Sequence, residues 1–361
     1  MASFLGNFFG KKDKHVVGID VGSSSIKVVE LYTNSGRVYL ETYGSISLGS
    51  YADVEMGKAT NLPEEKTGEA LNKLLEDSGG VAKEAAVNIP FNSSLVSVIS
   101  LPKISEKKLE QIVPTEARKY IPVSMDEVRL DWSVIGNKSG DSSNNNEEKI
   151  EVLLAAIHKD SLERYRKIME KVSLNISFFE IEVFSTLRTL SSMNTKDPLV
   201  VVDIGASSTK IYIFENGVIR FSHTVNIGSQ DLSLAISRAM NISEEEAEMV
   251  KRDIGMEGSY VHLQEAMDRV FERLFSDVLK VIQSYKRKSS SDLERVVISG
   301  GGGCLKGVSR VAQKHLDKSI SVLNPFDRVK HPPFMKETLI QLGPEYVPAV
   351  GAALRGVGVY N

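Results

Sequence analysis

Apolar and polar residues follow a strand-like pattern near the start of this chain. From His15 to Leu31, β-branched residues on both sides of a Gly/Ser turn keep a period close to two. This pattern predicts a strand, a tight turn and a second strand. No helical pattern follows the turn, whereas the dinucleotide fingerprint and the P-loop both need strand, turn and helix. The sequence therefore argues against both of those nucleotide motifs.

The same pattern recurs from Leu199 to Phe214, in the second half of the chain. Aligning the two copies pairs identical residues at a constant offset: Asp20 with Asp203, Gly22 with Gly205, Ser24 with Ser207, Ser25 with Ser208, and Lys27 with Lys210. Two copies of one unit predict duplicated domains that face each other.

The segment between the copies, residues 84–170, is predicted to be an inserted α+β module. Strand patterns cover 86–90, 95–101, 128–135 and 150–157, and two helices are predicted, one capped by Ser105 and kinked at Pro114 and one carrying Leu162 to Val172. The polar stretch 136–149 has nothing to bury, so we expect a mobile loop.

After the second copy the chain becomes mainly helical. Ser243 and Glu246 have the spacing of a capping box, and 261–285 carries one apolar stripe typical of a core helix. A strand is predicted from Leu293 to Ser299, followed by four glycines and another helix. The expected domains are 1–83 with 171–198, the insertion 84–170, and 199–361 with a helical part at about 230–292.

Composition narrows the functional classes. The chain has 361 residues, 42% apolar and 25% charged, and its net charge of -3 gives no basic footprint for nucleic acid. The single cysteine, Cys304, cannot form an internal disulfide, which favours a reducing cytoplasm. No apolar run reaches the roughly 18–20 residues of a membrane span, and the N-terminus does not resemble a signal peptide.

The first residues leave two interpretations open. Phe4, Leu5, Phe8 and Phe9 would share one helical face, and lysines follow at 11, 12 and 14. The segment is either packed on the body or frayed, as termini often are, or it is a weak contact with a membrane surface or a partner.

The duplicated turns suggest phosphate chemistry. Gly and Ser let backbone N–H groups approach phosphate oxygens, and two opposed turns can hold a polyphosphate from both sides. An Asp before each Gly suits Mg²⁺, although an Asp can also simply stabilise a turn. Lys27 and Lys210 either reach a phosphate or lie at the surface. The glycine run 300–303 brings backbone close to a flat or anionic ligand, unless it is only a flexible loop.

The order of these motifs resembles that of the actin, heat-shock-70 and sugar-kinase superfamily. Within it, the chain is similar to the type IV pilus assembly PilM family, a relative of the cell-division FtsA proteins. The similarity lies in Phe8–Lys27, in Phe179–Arg188 and Pro348–Ala353, which match the two connecting helices, and in Ala247–Lys251, which matches the nucleoside segment.

The resemblance implies an actin-like (ribonuclease H-like) α/β fold of duplicated domains with an inserted small α+β subdomain, and a site for ATP and Mg²⁺. Asp20 and Asp203 would face the metal, and the implied catalytic residues are Asp203 and Glu182, although helix packing explains Glu182 equally well. The implied nucleotide-binding residues are Asp20, Gly22, Ser23, Ser24, Ser25, Lys27, Gly205, Ala206, Ser207, Ser208, Lys210, Glu248, Lys251, Gly300, Gly301, Gly302, Gly303 and Leu305.

The resemblance also implies a cytoplasmic scaffold at the inner membrane. It would dock the N-terminal cytoplasmic tail of an inner-membrane pilus protein (PilN-like), reach the membrane only through that partner, and hydrolyse ATP slowly or not at all. One alternative is an FtsA-like, self-associating filament protein, although we expect no terminal amphipathic helix of the FtsA kind here. Another is a small-molecule kinase, for which Asp126, Asp131, Asp160 and Asp197 are candidate bases.

Overall fold

The structure, a computed structural model, describes residues 14–138, 148–190, 193, 195–257, 260–289 and 291–359. Residues 1–13, with the apolar N-terminal face, and residues 139–147 of the predicted mobile loop lie outside the described residues. No helix in the described ranges is long and apolar enough to cross a membrane.

The strands of the described chain are β1 (His15–Val21), β2 (Ser25–Asn34), β3 (Arg37–Ser47), β4 (Glu84–Ile89), β5 (Ser94–Pro102), β6 (Val128–Lys138), β7 (Lys149–His158), β8 (Asn175–Ile181), β9 (Leu199–Ile204), β10 (Thr209–Glu215), β11 (Val218–Val225), β12 (Arg295–Ser299) and β13 (Ser319–Val322). Its α-helices are α1 (Glu64–Ser78), α2 (Glu106–Ala117), α3 (Lys159–Met169), α4 (Glu182–Thr189), α5 (Ser229–Met240), α6 (Glu244–Ile254), α7 (Val261–Lys286), α8 (Val308–Leu316), α9 (Lys336–Leu342) and α10 (Val347–Gly356).

Two five-stranded sheets share one topology. The first has the order β3-β2-β1-β4-β8 and the second the order β11-β10-β9-β12-β13. In each, three antiparallel strands are followed by two parallel ones. A register irregularity falls between Glu30 and Leu31 in one sheet and between Ile213 and Phe214 in the other, which are equivalent positions of the two sequence copies. The repeat in the sequence is thus a repeat of the fold.

The third sheet has the order β5-β7-β6 and is covered by α2. It begins at Ser94 rather than at residue 84, because β4 pairs with β1 inside the first sheet. At the other end, α3 buries Tyr165, Ile168 and Met169 in the core of the first half. The separate sheet therefore spans Ser94–His158, and hereafter it is the additional sheet.

Each connecting helix, α4 and α10, packs on the sheet of the other half. Helix α4 follows the first sheet but buries its apolar residues against β9 and β10 of the second, whereas α10 packs against β1 and β2 of the first. The helices meet at Gly351, where an added Cβ would lie 2.1 Å from the Ser185 carbonyl oxygen. Each half thus carries a helix of the other, and the halves are held together at this crossing.

The predicted helices of the second half are present. Ser243 and Glu246 form the capping box at the start of α6, and α7 buries the predicted apolar stripe against the second sheet. These helices cover the face of the second sheet away from α4. Helix α6 thereby brings Glu248, Lys251 and Arg252 to the edge of the cleft between the halves.

Candidate functional site

The two Gly/Ser turns meet face to face. Ser23 Oγ and Ser207 Oγ lie 3.3 Å apart, although they come from the two separate copies of the repeat. The turns are built alike, since Gly22 N–H donates to Ser25 O and Gly205 N–H donates to Ser208 O, each at 3.0 Å. The duplicated motif therefore forms two matching turns on opposite sides of one cleft.

The turn carbonyls are held by the protein. Ser23 O accepts from Thr60 N–H at 2.8 Å, and Ala206 O accepts from Gln230 N–H at 3.0 Å. In a trans peptide the C=O and N–H groups point in opposite directions. The amides of Ser24 and Ser207 therefore point away from these donors, as an anion-binding turn requires.

The cleft has a volume of about 590 Å³, within the range of small-molecule sites. Every residue that the sequence proposed for the site lines it: Asp20, Gly22, Ser23, Ser24, Ser25, Lys27, Glu182, Asp203, Gly205, Ala206, Ser207, Ser208, Lys210, Glu248, Lys251, Gly300, Gly301, Gly302, Gly303 and Leu305. The structure thus brings together residues from both repeats, the start of α4, helix α6 and the glycine run.

Asp20 and Asp203 occupy equivalent strand ends beneath the turns. Each pairs across its hairpin with a lysine, Lys27 or Lys210. Burial, opposed in part by Lys27, raises the pKa of Asp20 to about 6. Burial likewise raises the pKa of Asp203, which Lys210 partly offsets. The lysines therefore compensate these two carboxylates only in part.

Lys210 contacts carboxylates of both halves. Its Nζ lies 2.8 Å from Glu182 Oε1 and 3.7 Å from Asp203 Oδ2. Burial alone would lower the pKa of Lys210, but the two carboxylates raise it above its ordinary value. Lys27 differs, because its Nζ donates to Ser25 Oγ of its own hairpin at 2.7 Å. The two lysines match in sequence but not in their contacts.

The glycine run forms the floor of the cleft beside Asp203. Gly300 has a φ of +81°, and a Cβ there would lie 2.5 Å from Asp203 Oδ1. A Cβ on Gly302 would lie 2.3 Å from Ile204 Cγ2, whereas one on Gly301 would meet nothing within 4 Å. Gly300 and Gly302 are thus required by packing, and Gly301 leaves open space in the cleft.

Glu248 and Lys251 form a buried ion pair on α6. Glu248 also accepts from Ser233 Oγ at 2.7 Å and from Arg252 Nε at 2.8 Å. Burial would raise the pKa of Glu248, but these donors, Lys251 foremost, lower it. The carboxylate is therefore charged and fixed at the wall of the cleft.

The sequence did not reveal the segment 49–62, hereafter the strap. It leaves the first sheet and reaches the second half, where Lys58 pairs with Glu244 at 3.4 Å and Ala59 N–H donates to Gln230 Oε1 at 3.2 Å. Gly57, with a φ of +84°, lies so close to Glu248 that a Cβ would be 2.5 Å from its Cδ. The positive φ of Gly57 favours glycine at this position, but this backbone conformation cannot be read from the sequence.

Other cleft residues were also missed, since they come from segments without a phosphate pattern. They are Ser229, Leu232, Arg252, Cys304, Lys306, Val322, Ile340, Gln341, Leu342, Pro344, Glu345 and Pro348. The residues from 340 to 348 belong to the return from the second sheet to α10. Only the full fold places them at the cleft.

The acidic residues fit a hydrated magnesium ion better than a protein-enclosed metal. In the described ranges no three His, Cys, Asp or Glu side chains are grouped as metal ligands. Mg²⁺ usually keeps several waters and is held by one or two carboxylates plus phosphate oxygens. The Asp20 and Asp203 carboxylates, both facing one cleft, meet that requirement.

Residues 18–357 match the protein-family model described as Type IV pilus assembly protein PilM. The cell division protein FtsA of Bacillus subtilis is 21% identical over 88% of this chain and 81% of its own. A solved PilM-PilN type IV pilus biogenesis complex superposes with a TM-score of 0.78, at 24% identity over 95% of this chain and 98% of that one.

MreB5 of Spiroplasma citri, solved with bound ADP, superposes with a TM-score of 0.55, at 10% identity over 94% of this chain and 95% of that one. At such identities the likeness to solved structures concerns the fold alone. It confirms the predicted actin-like α/β fold of duplicated domains.

Proposed function

The chain belongs to the type IV pilus assembly protein PilM family, and on that basis we propose that it is an ATP-binding scaffold of the pilus assembly machinery. The actin-like fold and the family support the scaffold role. The ligand, the partner tail and the location of the protein are proposals built on the geometry of the cleft.

The contact between Ser23 and Ser207 carries the nucleotide proposal. Because the turns approach to 3.3 Å, a polyphosphate entering the cleft would meet backbone amides and hydroxyls of both halves. Asp20 and Asp203 would hold Mg²⁺, which supplies charge neutralisation when it is bound. Glu248 and Lys251 would bracket the ribose and base, above the glycine run. The ADP bound to MreB5 supports this assignment by fold-level analogy.

The charge at the turns explains why a cation would be needed. Three carboxylates, of Asp20, Glu182 and Asp203, face two ammonium groups, of Lys27 and Lys210. A polyphosphate alone would add negative charge beside these three carboxylates. We therefore expect nucleotide binding to depend on Mg²⁺.

Slow hydrolysis follows from the contacts of Glu182. Its Oε1 accepts from Phe91 N–H at 2.7 Å, and this hydrogen bond does not depend on Lys210. A carboxylate engaged in this way is poorly placed to orient a water molecule. Binding without rapid turnover is what a scaffold stabilised by its ligand requires.

The proposed partner is the N-terminal cytoplasmic tail of a PilN-like inner-membrane protein. The similarity to a PilM-PilN complex supports this assignment. We propose that the tail lies, as an extended segment, between the additional sheet and the first half. In the additional sheet β6 is an edge strand, whose main-chain groups suit an extended peptide. The protein would then be cytoplasmic and reach the membrane through its partner.

The aspartates proposed as the catalytic base of a small-molecule kinase do not lie in the cleft. Asp126, Asp131, Asp160 and Asp197 are all exposed, and none lines the cleft. A base for phosphate transfer must lie within hydrogen-bond reach of the acceptor hydroxyl. Because none of these four aspartates lines the cleft, none is placed to act as that base.

Binding and turnover measurements test the proposal. ATP affinity with and without Mg²⁺ is measured by titration calorimetry for the wild type and for the double variant Asp20→Ala/Asp203→Ala. Phosphate release is followed in parallel. We expect Mg²⁺-dependent binding with little turnover in the wild type and no binding in the double variant.

The exposed Asp160 supplies the matched control, since Asp160→Ala removes a carboxylate that does not line the cleft. A synthetic copy of the partner's cytoplasmic tail is then titrated into the same proteins, and sedimentation with ATP tests for filaments. Rapid phosphate transfer to a small alcohol would exclude the scaffold. Capture of the tail by a protein that ignores ATP would exclude the nucleotide site but retain the docking role.

A further inference from the structure

The ion pair between Lys210 and Glu182 joins the two halves at the phosphate turns. Lys210 lies on β10 of the second sheet and Glu182 begins α4, and their side chains are only 15% and 6% exposed. A buried pair of this kind constrains position more than it adds stability, and losing one partner leaves an uncompensated charge. The Lys210–Glu182 ion pair is therefore sensitive to any other anion that binds Lys210.

A second donor also holds this Glu182 oxygen. Phe91 N–H donates to Glu182 Oε1 at 2.7 Å, and Phe91 lies in the short link from β4 to the additional sheet. The Phe91 ring packs edge-on against Tyr212, with ring centroids 5.3 Å apart. Tyr212 follows Lys210 by two positions on β10, so it points to the same face of the strand. Phe91 thus contacts both α4, which carries Glu182, and β10, which carries Lys210.

An anion in the cleft would compete with Glu182 for Lys210. The Lys210 ammonium lines the cleft beneath the second turn, whereas Phe91 does not line it. We infer that Lys210 distinguishes a nucleoside triphosphate from a diphosphate, because it leaves Glu182 and binds the terminal phosphate of the triphosphate. Glu182 is then held by Phe91 alone. Since Phe91 lies in the link to the additional sheet, the exchange couples the ligand to that sheet. This inference rests on the proposed nucleotide site.

The matched lysine shows why the role falls to Lys210. Lys27 occupies the equivalent position of the first repeat but contacts Ser25 in its own turn, and its contact stays within the first half. Lys210 alone of this pair bridges to the other half. An exchange at Lys210 therefore changes an inter-half contact, which an exchange at Lys27 would not.

The affinities of Mg-ATP and Mg-ADP test the exchange. In Lys210→Gln we expect ATP to bind about tenfold more weakly while ADP affinity changes less than twofold, a typical size for a single coupling. An equal loss for both nucleotides, or no loss, would overturn the inference while leaving the proposed function intact. A wild type that binds neither nucleotide would overturn both.

Burial of an unpaired Glu182 could unfold Lys210→Gln, so the double variant Lys210→Gln/Glu182→Gln is measured beside it. That variant removes both charges together, and it should fold and show the same loss of ATP selectivity. A double variant that keeps the wild-type ratio of ATP to ADP affinity would contradict the role of Lys210.

The coupling has its own readout in the partner tail. The synthetic tail peptide is titrated into the wild type and Glu182→Gln, each saturated with Mg-ATP or Mg-ADP. The wild-type Kd for the peptide should differ by about fivefold or more between the nucleotides, and that of Glu182→Gln by less than twofold. An undiminished difference in Glu182→Gln would show that the signal does not pass through this carboxylate.

Discussion

The hydroxyl groups of Ser23 and Ser207, which both line the cleft, lie 3.3 Å apart. Each is the same kind of residue in the same kind of turn, in two halves whose sheets have the same strand order. The duplication therefore produces more than two similar domains. It produces one composite site, because the turns face each other and neither half can surround a ligand alone.

The first prediction concerns Gly300, which has a φ of +81° and touches Asp203. In Gly300→Ala the methyl group would meet Asp203 Oδ1 at 2.5 Å, and the backbone would be strained as well. We expect a loss of roughly 1–3 kcal/mol in the free energy of unfolding, measured by thermal or urea denaturation.

The neighbouring glycine provides the control. A Cβ on Gly301 meets nothing within 4 Å, so Gly301→Ala should stay within about 0.5 kcal/mol of the wild type. If Gly300→Ala lost no more stability than Gly301→Ala and both stayed within about 0.5 kcal/mol of the wild type, the glycine run would be a flexible loop and not a packed floor.

The second prediction concerns the strap. Gly57→Ala places a methyl group 2.5 Å from the Glu248 carboxylate carbon and must displace it. Because Glu248 is proposed to hold the ribose, we expect about tenfold weaker binding of Mg-ATP, equal to about 1.4 kcal/mol, by calorimetric titration.

Gly36→Ala is the comparison for Gly57→Ala, since Gly36 also has a positive φ, of +76°, but an open surrounding. It should cost about 1 kcal/mol in stability from backbone strain and leave the ATP affinity unchanged. Equal ATP affinities in Gly57→Ala and Gly36→Ala would show that the strap does not contribute to ATP binding.

The repeat explains how much of this site was predictable. A motif that recurs in both halves of the chain indicates duplicated domains, and identical residues at equivalent positions predict that the turns face each other. The family resemblance supplied Glu248 and Lys251, which carry no phosphate pattern of their own. Their placement at the cleft agrees with that assignment, while their role in binding stays a prediction.

The strap and the edges of the additional sheet could not be predicted in this way. Gly57 and Glu248 come from different halves of the chain, and no local period encodes a contact between them. Residues 84–89 have the pattern of any buried strand, so only the pairing of β4 with β1 assigns them to the first sheet. Sequence patterns define elements, whereas long-range pairing decides to which sheet they belong.

The third prediction concerns the crossing of the connecting helices. In Gly351→Ala the methyl group would lie 2.1 Å from the Ser185 carbonyl oxygen, and neither backbone can move without separating the halves. Overpacking of this kind should cost about 3 kcal/mol or more, seen as a lower Tm by circular dichroism. Gly358→Ala, just beyond α10 and with nothing within 4 Å, should cost only the strain of its positive φ.

The fourth prediction follows from the pKa of Asp20, which burial raises from 3.8 to about 6. Between those values the folded protein binds more protons than the unfolded chain, so this group's contribution makes the ligand-free protein less stable as the pH rises. Above pH 6 the full penalty applies. Asp20→Asn carries no such penalty, and it should be about 1–3 kcal/mol more stable than the wild type at pH 7–8.

The pH dependence separates this effect from a change in packing. The difference between Asp20→Asn and the wild type, measured by urea denaturation, should shrink steadily from pH 6 to pH 4, because Asp20 then becomes protonated in the folded protein and, toward pH 4, in the unfolded chain as well. The exposed control Asp160→Asn should stay within about 0.5 kcal/mol of the wild type. A stability gain in Asp20→Asn that persisted unchanged at pH 4 would contradict the charge argument. A gain that vanishes, in a variant that no longer binds Mg-ATP, would mean that the Asp20 carboxylate is kept at a cost in stability because the metal requires its charge.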